Sequence, residues 1–281
     1  MSLPGSHIAI NGINYHVSDQ GESEKVVLLL HGMPDTSSLW RHQVPALLTA
    51  GYRVIAPDML GYGKTDKPAD PARYSGELVL ADIVALLETL NIDKMDLVGH
   101  DWGAFLSWEL VTHFPQLFRK HVTVSVGHLG VFFSDFSVDN LKQNWYMYLN
   151  SLDNAAELYS LNDGEFFISG IVPTHPEPEE VRARLKDPVA MRANVNWDRG
   201  NQLADFYMAH LQGELSTEKC TVPTMGIWST GDTYLKEEHM TQSEEFVSAE
   251  WRYERIEGGS HWIMLDRPDE VTKLLLDWFV D

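Results

Sequence analysis

The feature that most restricts how this chain can fold is an alternation of short apolar runs with longer amphipathic stretches, broken once. Residues 25–30, 52–57, 94–98 and 121–126 read as strands, and residues 37–50, 77–90 and 102–113 between them have helical spacing. Strands that alternate with helices predict a parallel sheet covered by helices. Upstream, residues 7–11 and 14–18 read as two strands around the turn signal Asn11-Gly12. From about residue 129 to 218 no convincing strand is found. Helices are expected there at 138–150, 155–161, 179–185 and 202–211, interrupted by Pro173, Pro176, Pro178 and Pro188. The strand pattern resumes at 224–228 and 251–256, and a helix over 269–280 closes the chain. The expected organisation is nested: an α/β core of residues 1–128 and 219–281, with a helical insertion over 129–218.

Composition narrows the class of protein. The chain has 281 residues, long enough for a sizeable core, and a formal net charge of −20. That excess of negative charge would repel phosphate, so a nucleic-acid partner is not expected. The lone cysteine, Cys220, excludes an intramolecular disulfide and a thiolate zinc site, and suits a reducing compartment. The longest unbroken apolar run, Val26–Leu30, is far too short to span a membrane, and no signal peptide is read at the N-terminus. A cytoplasmic protein without a membrane partner is the expectation. The sequence is compatible with a homo-oligomer but does not call for one.

Four short segments carry chemistry. Gly99-His100-Asp101-Trp102-Gly103 lies between a strand and a helix. Two glycines bracketing a nucleophile there permit a sharp turn that exposes the central side chain, here Asp101 rather than the usual serine. Alone, the segment could be an ordinary turn with an N-capping aspartate. His31-Gly32-Met33-Pro34 follows an earlier strand and is weak by itself. The backbone N–H groups of Met33 and Trp102 are the expected oxyanion-hole donors. Asp232 follows the strand at 224–228, and His261 lies in Gly258-Gly259-Ser260-His261-Trp262 after the last strand. Open α/β sheets place active sites at such strand ends. The chain order nucleophile, acid, histidine (Asp101, Asp232, His261) is much more specific than any single segment.

With these residues in view the sequence resembles the α/β-hydrolase fold superfamily, and most the soluble epoxide hydrolase branch. The motifs behind the resemblance are the 31–34 loop, the 58–66 stretch Asp-Met-Leu-Gly-Tyr-Gly-Lys-Thr-Asp, the Asp101 elbow and the segment from Ser260 through Pro268 and Val271. The resemblance implies an α/β fold with a mostly parallel eight-stranded sheet, helices on both faces and an inserted helical cap. It implies that Asp101 attacks a saturated carbon to form an ester. His261, held by Asp232, would then activate a water to cleave it. Cap tyrosines of the family protonate the opened epoxide oxygen. Tyr146 fits the first, with Tyr148 its near rival. At the second, Asn196-Trp197-Asp198-Arg199 carries Asp198 where the family has tyrosine. Buried and protonated, Asp198 could donate; ionised, it could not. Tyr207, Tyr159 or a histidine are other candidates for that gap.

The expected substrate is a small, largely apolar epoxide, with water as co-substrate and a pocket drawing on His31, Pro34, Trp145, Trp197 and Trp262. A haloalkane dehalogenase with the same nucleophile is the second reading; Trp102 with Trp145 or Trp197 would hold the halide. A fluoroacetate dehalogenase is disfavoured because Trp102 stands where an arginine is usual. A serine-type esterase is disfavoured by Asp101. A catalytically dead ligand-binding protein would be expected to lack a triad member. No nucleotide motif and no His-Glu-x-x-His spacing occurs, so no cofactor and no metal are expected.

Overall fold

A computed structural model describes residues 2–214 and 218–279. Val280, the last residue of the expected closing helix, and residues 215–217 of the expected insertion lie outside the described residues. Eight strands form one sheet: β1 (Ser6–Ile10), β2 (Ile13–Gln20), β3 (Val26–Leu30), β4 (Arg53–Pro57), β5 (Met95–His100), β6 (Phe118–Val124), β7 (Thr224–Ser229) and β8 (Trp251–Ile256). Their spatial order is β1-β2-β4-β3-β5-β6-β7-β8. β1 and β2 are antiparallel, as are β2 and β4, and every other pairing is parallel. The β1–β2 turn uses Asn11 and Gly12, both at positive φ, the geometry that matches strand twist in a two-residue hairpin. β3, β5 and β7 are buried along their whole length. Covering on both faces is why Val26–Leu30 reads as an unbroken apolar run rather than an alternation. The expected eight-stranded, mostly parallel α/β architecture is borne out.

The core helices are α1 (Gln43–Thr49), α2 (Gly76–Thr89) and α3 (Trp102–His113) before the cap. The expected helix over 37–50 is instead a 3₁₀ turn, Ser37–Trp40, followed by α1. Asp58 Oδ1 takes both the Ser37 N–H (2.8 Å) and its hydroxyl (2.7 Å), which anchors that turn to the strand end of β4.

Among the described residues every α-helix or strand between β6 and β7 is helical: α4 (Leu129–Phe132), α5 (Val138–Gln143), α6 (Trp145–Asn150), α7 (Ala155–Ser160), α8 (Pro178–Leu185), α9 (Pro188–Gly200) and α10 (Leu203–Gln212). The single helix expected over 138–150 is two, broken at Asn144. α9 has no counterpart in the sequence reading, which took Pro188 as an interruption. Pro188 instead occupies the first helical turn, where its missing N–H costs nothing, and Asp187 caps the helix by accepting from Val189 N at 2.9 Å.

α9 is the element that seats the cap on the core. Trp197 is fully buried and donates its indole N–H to Leu60 O at 2.9 Å. Its ring packs on Trp102, Tyr62 and Tyr74. One turn on, Asn201 donates to Tyr74 O at 2.8 Å and accepts from Gly76 N at 2.7 Å. Ion pairs reinforce the seam: Arg184 with Asp35 (3.1 Å), Lys236 with Asp135 (2.6 Å) and Arg41 with Glu177. After the cap come α11 (Glu237–Thr241), α12 (Ile263–Asp266) and α13 (Pro268–Phe279). Among the described residues no helix is long and apolar enough to cross a membrane.

Candidate active site

The C-terminal ends of β3, β5, β7 and β8 bring four segments together under α9. Asp101 sits between β5 and α3 with φ 54° and ψ −124°, a conformation that strains any residue bearing a Cβ. Its glycine neighbours make the turn possible. A Cβ on Gly103 would collide with Leu30 O, and one on Gly32 with Asp101 Oδ1 itself. The Asp101 carboxylate is caught from below. Met33 N–H donates to Oδ1 at 2.6 Å, and the Trp102 N–H also bonds the carboxylate. Burial works against the charge, but His261 and these donors outweigh it and hold Asp101 below its ordinary pKa.

His261 lies between two carboxylates. Its Nδ1 meets Asp232 Oδ2 at 2.8 Å, and its Nε2 stands 3.5 Å from Asp101 Oδ2. Asp232 Oδ1 accepts from the N–H groups of Tyr234 (2.8 Å) and Leu235 (3.0 Å). With Asp232 acting only as acceptor, Nδ1 carries a proton and Nε2 is turned toward Asp101. Burial alone would lower the histidine; the charges of Asp232 and Asp101 more than reverse it and push it up to about 10. The neighbouring His100 goes the other way, lowered to about 3 by burial and by His261. It is a neutral brace whose Nε2 donates to His261 O at 3.0 Å.

Above Asp101 the core and cap line a cavity between them. Met33, Asp101 and Trp102 form the floor, the rings of Phe105, Phe133 and Phe206 form a wall, and Tyr146 and Asp198 come from the cap. Burial raises the Tyr146 hydroxyl well above its usual value, helped by the charge of Asp101, so it stays a proton-bearing donor. Asp198 is buried and accepts from Asn150 Nδ2 at 2.7 Å through Oδ2, while Oδ1 has no partner. Burial first, and Asp101 as well, push its carboxyl up to about 8.

The structure therefore brings together Asp101, Asp232, His261, Met33, Trp102, Tyr146 and Asp198. It does not bring Tyr148 to the cavity. That residue is 40% exposed, because two steps along α6 rotate a side chain by about 200° away from Tyr146. None of the five expected pocket residues lines the cavity. Trp145 is 44% exposed on the cap surface. Trp197 is committed to Leu60. Trp262 is buried behind His261, with ring centroids 5.0 Å apart. His31 accepts from Met59 N at 2.9 Å and is kept neutral by burial, so it braces the loop rather than meeting a ligand. Pro34 faces a separate depression beside Asp35 and Arg184. The sequence reading overestimated tryptophan because large rings pack cores as readily as pockets.

Several contributors went unread. The phenylalanine wall draws single residues from three helical regions, so no spacing announces it. Asn150 and Tyr159 support Asp198 from behind, with Tyr159 Oη donating to Asn150 Oδ1 at 2.5 Å. Tyr159 is thus a supporter and not a cavity residue. Tyr207 accepts from Asn140 Nδ2 at 3.1 Å and also stays out of the lining. Among the described residues no group of His, Cys, Asp and Glu side chains is placed to hold a metal.

Comparison with known proteins agrees with this geometry. Residues 25–268 match the model of the alpha/beta hydrolase fold. The chain belongs to the α/β-hydrolase family, in its epoxide hydrolase-like branch. It is 38% identical to an epoxide hydrolase of Caballeronia sordidicola, over 96% of this chain and 91% of that one. It is 30% identical to epoxide hydrolase 3 of Xenopus tropicalis, over 95% of this chain and 75% of that one. In fold it is similar to the crystal structure of an epoxide hydrolase from Vigna radiata, with a TM-score of 0.84 and 24% identity, covering 98% and 97% of the two chains.

Proposed function

We propose that this chain hydrolyses an epoxide to a vicinal diol through a covalent ester on Asp101. One observation carries the reading: Asp101 Oδ1 is held by the Met33 N–H, while Oδ2 stands 3.5 Å from His261 Nε2 on a residue that lines the cavity. An ionised carboxylate needs no base to attack, and attack at a saturated carbon yields an alkyl ester. The Tyr146 hydroxyl, facing the same cavity, stabilises the oxygen released as the ring opens.

Ester formation removes the negative charge of Asp101. One of the two charges that hold the His261 proton is then gone, and the imidazole becomes a better base once there is an ester to cleave. Once its Nε2 proton has passed to solvent, His261, oriented by Asp232, deprotonates a water that attacks the ester carbonyl carbon. The Met33 and Trp102 N–H groups already bind the carboxylate, so they are in place for the oxyanion that develops there.

The apolar wall suits a small, largely apolar substrate. We assign the core to residues 1–128 and 219–281 and the cap to 129–218, with the site between them. One chain supplies every residue of this site, so the chemistry does not require a homo-oligomer. The single cysteine favours a cytoplasmic setting. A haloalkane substrate is less well served. Of the indoles that could hold a leaving halide, Trp197 is bonded to Leu60 and Trp145 is on the surface, which leaves Trp102 alone.

The test is mass spectrometry of His261→Gln incubated with an aryl epoxide and, separately, a bromoalkane. The expected result is a stoichiometric adduct on the Asp101 peptide with the mass of the epoxide. An adduct from the bromoalkane alone would favour dehalogenation, and no adduct from either would overturn the ester mechanism.

A further inference from the structure

We propose that Asp198 is a second proton donor in ring opening, a neutral carboxylic acid whose Oδ1–H protonates the epoxide oxygen as Asp101 attacks carbon. The proposal rests on the epoxide reading above and adds to it the source of the proton.

Hydrogen-bond direction locates the Asp198 proton. Tyr159 Oη is 2.5 Å from Asn150 Oδ1, and Asn150 Nδ2 is 2.7 Å from Asp198 Oδ2. All three side chains are buried. A phenol donates to the amide oxygen, so the amide must present its NH₂ to Asp198, and Oδ2 is an acceptor. The reverse amide orientation would leave the Tyr159 proton without an acceptor among the described residues. A proton on Asp198 therefore resides on Oδ1, which is buried, has no partner and belongs to a residue lining the cavity. A buried carboxyl with a single neutral donor cannot easily hold a charge. It is poised to give its proton to a ligand oxygen.

The surroundings agree. Asp101 faces Asp198 across the cavity as a like charge. α6 presents Tyr146 and Asn150, α7 presents Tyr159, and the core loops under α9 present Tyr62 and Tyr74. α8 turns its arginines to Asp35 and Glu165 instead. Arg199, next in sequence, is drawn to Asp153 and Asn196. No cation among the described residues pairs with Asp198. Its carboxyl is raised to about 8, so the acid is neutral at neutral pH.

The step balances. Asp101 Oδ2 bonds to an epoxide carbon, and that C–O bond breaks with its electron pair going to oxygen. The oxygen takes the Asp198 proton, giving a hydroxyalkyl ester and an Asp198 carboxylate. One negative charge is present before and after; it has moved from floor to cap. Because the Asp101 charge is part of what keeps Asp198 protonated, attack strengthens the acid while the proton is needed. Cleavage of the ester by water releases one proton, which returns to Asp198, so the cycle consumes only epoxide and water.

The experiment is rapid-quench mass spectrometry of Asp101 ester formation and decay with an aryl epoxide, at pH 6 to 9.5, for the full-length wild-type chain and Asp198→Asn. The wild type should show an alkylation rate that falls with rising pH, with a midpoint near 8. Asp198→Asn should alkylate about 10²-fold more slowly, lose that upper limb, and hydrolyse the preformed ester within about threefold of wild type. An unchanged limb in the variant, or equal slowing of both steps, would overturn the proposal and leave Asp198 as a wall. The wild-type profile decides the matter even if the variant does not fold, since no upper limb between pH 7 and 9.5 also overturns it. Failure of the epoxide reading looks different: no Asp101 ester forms at any pH.

Discussion

Asp101 and Asp198 face the same cavity from opposite sides, one on the core and one on the cap, and they meet its low polarity in opposite ways. Asp101 has two backbone N–H donors and a protonated histidine, and it is held as an anion. Asp198 has one side-chain amide and an unfilled oxygen, and it is held as an acid. Asp198 is also the more deeply buried, 2% exposed against 17% for the Asp101 side chain, so desolvation and the number and charge of partners together decide ionisation. In the proposed mechanism the two carboxyls take the roles of nucleophile and acid, as other enzymes do by driving paired groups apart in pKa. The supports differ in kind as well. The core carboxylate is fixed by backbone geometry at strand ends, whereas the cap carboxyl is fixed by side chains of neighbouring helices.

The sharpest way to break the comparison is to remove the anion. Asp101→Ala should lower diol formation by about 10⁴-fold or more, measured as kcat with an aryl epoxide. Substantial residual turnover would mean that the floor carboxylate is not the nucleophile. Next is the cap's other donor. Tyr146→Phe should reduce kcat/KM by about 10- to 100-fold, while Tyr148→Phe on the opposite face of α6 should change it less than about twofold. Equal losses in both would mean that the cap is misplaced over the core.

The last effect is on stability, and its sign follows from Asp198. A carboxyl raised from 3.8 to about 8 binds a proton on folding. Its contribution is fully present below about pH 4 and is lost as pH climbs toward 8. Asp198→Asn has no such group, so its stability relative to wild type should rise with pH by up to about 1.4 kcal/mol per unit between roughly pH 4 and 8. Urea titrations at pH 5 and pH 8 measure this. A constant offset between the two proteins would show that Asp198 titrates normally and that the contrast with Asp101 is absent.

Core and cap also differ in how far they could be read in advance. The strands around 25–30, 94–98 and 224–228 were legible because buried strands are largely apolar, and the chemistry sits immediately after them. In the cap the reading missed α9, because Pro188 serves equally as a helix breaker and a helix starter. It is the Asp187 cap that makes it a starter here. Tyr146 and Tyr148 could not be separated, since the helix over 138–150 is interrupted at Asn144 and its inward face is set by what it packs on.

By itself the sequence pointed to an aspartate nucleophile, to its order with Asp232 and His261, and to a nested plan of core and insertion. These rest on local signals: glycines that permit a tight turn, apolar runs that must be buried, and polar residues at their ends. Only the tertiary structure decided which cap groups face Asp101, that five expected pocket residues are occupied elsewhere, and that Asp198 is an acid. A carboxyl's proton depends on desolvation and on charges across space. Asn150 and Tyr159 are remote from Asp198 in the chain and meet it when the cap helices pack, and Asp101 meets it only where the cap sits on the core.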